Sequence, residues 1–128
     1  MSKRTFISFD FDHDSELRDL LVGQSRNPDS PFEISDWSLK EPLSGDWKEK
    51  VRSRIKRTEV VIVICGTYTN TATGVSEELR IAQEERIPYF LLIGRKSDPI
   101  TKPLSALISD KIYSWTWDNL KLLIQGSR

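Results

Sequence analysis

Two stretches constrain the fold more than any other feature. Residues 60–65 read VVIVIC and residues 88–93 read PYFLLI, apolar at nearly every position. A strand with one wet face alternates apolar and polar residues. A strand apolar throughout is covered on both faces, and that occurs mainly in parallel sheets flanked by helices. The residues between the two runs supply a polar loop at 66–71, then a helical pattern over 73–85 that buries Val75, Leu79 and Ala82. That is enough chain for the crossover that parallel strands require.

The remaining segments extend the same alternation. Residues 4–10 (RTFISFD) predict a first strand. Asp14 or Ser15 then caps a helix carrying Leu17, Leu20, Leu21 and Gln24 at helical spacing, ending near 26–28. Residues 31–37 alternate as a short edge strand, and 38–44 form a loop broken by Pro42. A helix follows over 45–57, with Trp47, Val51 and Ile55 as its buried stripe. After the second apolar run come a loop at 94–102, one helical turn at 104–108, a last short strand at 111–114, and a C-terminal helix holding Leu120, Leu123 and Ile124. Right-handed crossovers turn this order into a flavodoxin-like α/β fold: three layers around a five-stranded parallel sheet, order 2-1-3-4-5, with residues 1–128 as one domain. The strand order reverses between strands one and three. Ligands bind at such a switch point, here between the loops after Asp10 and Cys65.

Composition excludes several function classes. The 128 residues carry 19 basic and 19 acidic side chains, with a pI of about 6.6, so no broad basic face for nucleic acid is expected. The local basic run at 48–57 alternates with Glu49, Val51 and Ile55, as the wet side of an amphipathic helix does. The single cysteine, Cys65, forbids an internal disulfide and suits the reducing cytoplasm. The charged pair Lys3 and Arg4 has no apolar run behind it, and no stretch approaches the roughly 20 apolar residues of a membrane helix. Neither a signal peptide nor a membrane association is expected.

Several chemistries are conceivable at the crevice. Asp10, Asp12 and His13 offer oxygen and imidazole ligands for a divalent metal, but a solvated capping loop explains Asp12 and Asp14 better, and no metal site is expected. A receiver would need a phosphorylatable aspartate at the end of strand three, where the chain reads Cys65-Gly66-Thr67. No Gly-rich phosphate loop and no serine nucleophile elbow occurs. The four tryptophans read mainly as core, with Trp37 placed to flank a nucleobase. Glu77 and Glu78 open the helix after strand three. Acids there complement the helix dipole, but a carboxylate at Glu78 also projects toward the switch-point crevice.

The run 60–69, followed by Val75-Ser76-Glu77-Glu78, resembles the TIR-like family to which the TIR component of Thoeris anti-phage systems belongs. There an apolar strand leads to Gly-x-x-Thr and then to Trp-Val-x-x-Glu; Gly66, Thr69, Val75 and Glu78 match, and Gly74 stands in place of the Trp. The opening 6–9 (FISF) and the 115–117 (WTW) ending are similar too. The resemblance implies an NAD⁺-cleaving enzyme with Glu78 as catalytic carboxylate, stabilising positive charge on the ribose as nicotinamide leaves. Phe9 would wall the nucleotide, Asp10 would hydrogen-bond ribose hydroxyls, and Thr67, Tyr68 and Thr69 would line the mouth. NAD⁺ would be substrate, with no resident cofactor. The product, a cyclic or otherwise modified ADP-ribose, would act on a separate effector, and the chain could assemble through contacts between TIR domains. Two alternatives stay open: an interaction module without catalysis, and an enzyme like the nucleoside deoxyribosyltransferases. An open cleft joining Phe9, Tyr68 and Glu78 would mark the NAD⁺ enzyme, and a closed one the module.

Overall fold

The structure, a computed structural model, describes residues 2–38 and 45–126. Its elements run β1 (Lys3–Ser8), α1 (Ser15–Ser25), β2 (Phe32–Trp37), α2 (Gly45–Lys56), β3 (Val60–Cys65), a 3₁₀ turn (Thr69–Thr71), α3 (Thr73–Glu84), β4 (Tyr89–Ile93), β5 (Ile112–Tyr113) and α4 (Trp117–Gln125). Every strand pair is parallel, and the sheet order is β2-β1-β3-β4-β5. The flavodoxin-like α/β architecture is therefore the one the alternation of periods implies.

Strand alternation divides the core into two layers. Ile7, Ile62, Ile64 and Leu92 point toward α1 and α4, where Leu17, Leu21, Leu120 and Leu123 cover them. Phe6, Val61, Val63 and Leu91 point toward α2 and α3, against Trp47, Val51, Ile55 and Leu79. All six residues of β3 are buried, which is why its sequence carries no polar alternation.

One irregularity decides where the edge strand aims its last residues. Along β1 and β2, Thr5 pairs with Ile34 but Phe6 pairs with Asp36, leaving Ser35 as an extra residue in β2. A one-residue slip exchanges the faces of everything beyond it. Asp36 consequently joins Phe6 on the α2 side and reaches Arg54 at 3.2 Å, while Trp37 pairs with Ile7 and lies under Arg18 of α1. Ser38, one step further, turns back to the α2/α3 side.

Two expectations need correction, and a third lies outside the described residues. Leu20 does not join the buried stripe of α1; it is 60% exposed, because Leu17 and Leu21 alone satisfy the contact with the sheet. Residues 104–108 form turns rather than a helical turn, closed by Ala106 N–H to Pro103 O and Asp110 N–H to Leu107 O, and Leu104, Leu107 and Ile108 face solvent. The expected 38–44 loop lies, after Ser38, outside the described residues. No described helix is long and apolar enough to cross a membrane.

Candidate functional site

Glu78 is buried, at 1% exposure. Helix α3 begins at Thr73, so Glu78 sits in its second turn and not, as expected, the first, beyond the reach of most of the dipole effect. Its burial follows from spacing. Val75, Glu78, Leu79 and Ala82 fall at i, i+3, i+4 and i+7, so a carboxyl occupies the helix's apolar stripe. An acid there needs donors. Ser8 Oγ donates to Glu78 Oε1 at 2.6 Å, and Ser38 Oγ donates to the same oxygen at 2.5 Å. Ser38 Oγ also accepts Phe9 N–H at 3.0 Å, which ties the ends of β1 and β2 together at the carboxyl. Glu78 Oε2 has no partner among the described residues.

Burial pushes the Glu78 carboxyl up to about 8, against the pull of the Ser38 and Ser8 hydroxyls. The group is thus held mostly protonated at neutral pH. A desolvated acid with a perturbed proton affinity at the end of an open α/β sheet is a recurrent sign of a functional site.

The aromatic residues expected beside it lie elsewhere. Phe9 leaves β1 on the opposite face from Ser8. Its ring is 1% exposed within the α1 layer, stacked on Phe11 at 5.4 Å, with the Arg18 guanidinium 5.7 Å from its centre. Trp37 shares that guanidinium at 5.3 Å and remains 38% exposed. The sheet therefore separates Phe9 and Trp37 from Glu78, and the expected cleft joining Phe9 to Glu78 is absent among the described residues.

The loops after β1 and β3 do meet at the switch point. Asp10 Oδ2 lies 2.6 Å from His13 Nδ1, and its Oδ1 accepts Asp12 N–H at 3.2 Å, so this carboxylate closes its own loop. The His13 ring stacks on Tyr68 at 4.3 Å, with Tyr68 about half exposed. Thr67 Oγ1 donates to Pro99 O at 2.7 Å. Thr69 is buried and its Oγ1 accepts Gly66 N–H at 2.7 Å, a local turn bond. Among the described residues no cluster of three His, Cys, Asp or Glu side chains is arranged to hold a metal ion.

Sequence reasoning missed Ser8, Ser38 and Arg95, and it took Asp14 for a solvated helix cap, although its side chain makes no capping hydrogen bond. Ser8 and Ser38 are the partners of Glu78; for Ser8 a hydroxyl on a buried strand face was the available signal, and Ser38 gave none. Asp14, almost fully buried, forms a 2.6 Å ion pair with Arg95, whose guanidinium also engages Glu16. Burial raises the Asp14 carboxyl, and Arg95 opposes the rise. Gly66 makes room for it: a Cβ there would stand 2.5 Å from Asp14 Oδ2. Cys65 is buried, and burial pushes its thiol up to about 12, which disfavours the thiolate that a nucleophile needs. Gly74 faces the Trp47 indole, whose Cζ2 would lie 3.7 Å from a Cβ at that position. A separate groove of about 470 Å³ lies between α1 and the ends of β4 and β5, lined by Leu20, Gln24, Lys96, Trp115 and others; it includes none of the expected site residues.

The family model described as the Thoeris protein ThsB, TIR-like domain, matches residues 6–96. The match runs from β1 through β4 and includes Ser8, Ser38 and Glu78. No curated protein matches the chain.

Proposed function

We propose a function from the family: the chain belongs to the TIR-like domain family of the Thoeris protein ThsB, and it acts in anti-phage defence by breaking the nicotinamide–ribose bond of NAD⁺. The observation that carries this reading is the buried Glu78, with one oxygen held by two hydroxyls and the other without a partner among the described residues. When the bond breaks, its electron pair leaves with nicotinamide and positive charge develops on the ribose. A carboxylate against that sugar lowers the barrier, as in glycoside cleavage. Capture by water yields ADP-ribose and a proton; capture by a nitrogen of the same molecule's adenine yields a cyclic product. That product serves as a cytoplasmic signal to a separate effector. NAD⁺ is consumed, so no resident cofactor takes part.

Glu78 must be ionised and reachable for this chemistry, and in the present conformation burial closes it off and favours its protonated form. Opening of its surroundings, through assembly with further copies or an infection trigger, precedes turnover. The cationic ribose then favours the charged carboxylate. Phe9, Asp10, Trp37, Thr67, Tyr68 and Thr69 bind substrate in this reading only where such an opening brings the loops to Glu78.

The test is nicotinamide release from NAD⁺ by assembled, activated protein, beside Glu78→Gln. Loss of a transition-state electrostatic contact costs about a hundredfold or more, so the variant should be nearly silent. Equal turnover by both proteins refutes the assignment of Glu78. The closure over Glu78 favours a second reading, a non-catalytic interaction module. It predicts no turnover in the activated assembly and full signalling by Glu78→Gln. Release of free base from nucleosides but not from NAD⁺ would instead indicate an enzyme like the deoxyribosyltransferases.

A further inference from the structure

The two oxygens of Glu78 are treated unequally. Two hydroxyls from different strands, Ser8 on β1 and Ser38 just after β2, converge on Oε1 at 2.6 and 2.5 Å, while Oε2 has no partner among the described residues. If these serines served only to satisfy a buried carboxyl, one donor on each oxygen would do it better. An unsatisfied buried oxygen is costly, and two donors on one atom leave that cost in place. The arrangement is also specified at a distance. Ser38 reaches Glu78 only because the extra residue Ser35 in β2 turns residues 36–38 over. The neighbouring charges are occupied with one another: Asp36 with Arg54 at 3.2 Å and Glu77 with Lys48 at 3.8 Å. Among the described residues, the two hydroxyls are thus the polar groups that act on this carboxyl.

We propose that Ser8 and Ser38 are positioning residues that clamp Glu78 Oε1 and so reserve Oε2 for the substrate's ribose. This rests on the reading of Glu78 as the catalytic carboxylate. The clamp fixes the carboxyl plane in advance of binding, and both donors favour the ionised form. Removing either donor should therefore leave the fold intact, make Glu78 harder to ionise, and reduce the fraction of protein with a charged carboxylate.

Two measurements test it on the full chain. The first is carbon-13 NMR titration of glutamate-labelled protein, with the Glu78 signal assigned by its loss in Glu78→Gln. The midpoint should rise in Ser8→Ala and in Ser38→Ala, and return toward the wild-type value in Ser38→Thr, which keeps a hydroxyl. The second is the pH profile of kcat/KM for NAD⁺ in activated protein. Its acid limb should move to higher pH in both alanine variants, with turnover at pH 7 falling about tenfold for each unit of the move. An unmoved midpoint in both alanine variants overturns the clamp. So does an unmoved acid limb while Glu78→Gln is inactive, an outcome that leaves the NAD⁺ reading standing. If the midpoints rise but the wild type turns over no NAD⁺, the NAD⁺ reading falls and the hold on Oε1 stands.

Discussion

Replacing Glu78 by glutamine should change not only the stability of the protein but its dependence on pH. The Glu78 carboxyl is raised from the usual 4.5 to about 8 by burial. The native state therefore holds this proton more tightly than the unfolded chain does. Its contribution to stability is fully present below about pH 4.5 and is lost as pH rises through about 8. At roughly 1.4 kcal/mol per unit the whole contribution is on the order of 5 kcal/mol, and about 3–4 kcal/mol of it disappears between pH 5 and pH 8. Glutamine has the same shape, and its Oε1 can accept from Ser8 and Ser38, but it does not titrate. Its amide nitrogen takes the place of Oε2, where it finds no described acceptor, at a pH-independent cost of about 1–3 kcal/mol. Glu78→Gln should accordingly be no more stable than the wild type at pH 5 and more stable at pH 8. Urea unfolding at pH 5, 6, 7 and 8 measures this directly. With slopes of about 1–3 kcal/mol per molar urea, the gap between the two midpoints should change by about 1 M or more across the range. Other titrating groups, the raised Asp14 among them, are common to both proteins and cancel in the difference. Parallel pH dependences for the two proteins would refute the account of Glu78 as a buried, protonated acid.

Two glycines give opposite outcomes. Gly66→Ala places a methyl group 2.5 Å from Asp14 Oδ2 and 2.9 Å from Oδ1, on a carboxylate anchored by Arg95. Overpacking of this kind costs about 1–3 kcal/mol, read as a fall of several degrees in Tm; an unchanged Tm would contradict it. Among the described residues Gly74→Ala, within α3, meets only the Trp47 indole, Cζ2 at 3.7 Å and Cη2 at 4.0 Å, both ordinary contacts. The gain in helix propensity should stabilise the protein by about 0.5–1 kcal/mol, and a lower Tm would show that the space beside Trp47 is tighter than the geometry indicates.

The parts of the fold legible in sequence are those set by local periodicity. β3 and β4 are apolar at successive positions because helices cover both their faces, and few arrangements besides a covered parallel sheet produce that pattern. Leu20 is not placed by its spacing, because three leucines in five residues exceed what one helix face can bury, and sequence does not say which is left outside. The turns at 104–108 are equally hidden, because their apolar residues do not say that Ala106 alone meets the core while Leu104, Leu107 and Ile108 face solvent. Glu78 is legible through its spacing with Val75, Leu79 and Ala82. Ser8 becomes legible once the α2/α3 face of β1 is known, since Ser8 and Phe6 share it while Phe9 takes the other. Ser38 is not legible at all. Strict alternation from Phe32 would send it to the wrong side, and nothing in FEISDWS announces the extra residue at Ser35.

The spacing that ties this chain to its family resolves into parts with different physical duties. Gly66 is required for its missing Cβ, which admits the Asp14 carboxylate under the loop after β3. Thr69 closes that loop by accepting the Gly66 N–H. Val75 anchors the first turn of α3 in the apolar layer. These three fix the start and the rotation of α3, and the rotation alone determines whether residue 78 faces the sheet or solvent. Gly74, where the family pattern has Trp, does not break this arrangement, because the indole of Trp47 on α2 stands beside it and belongs to the same layer. Of the four matched positions, then, only Glu78 places a titratable group in the buried layer, and the other three shape the loop and the helix that carry it. A substitution at Gly66, Thr69 or Val75 should therefore reach the site through the orientation of α3, with its effect on Glu78 visible as a changed titration before any change in what the site binds.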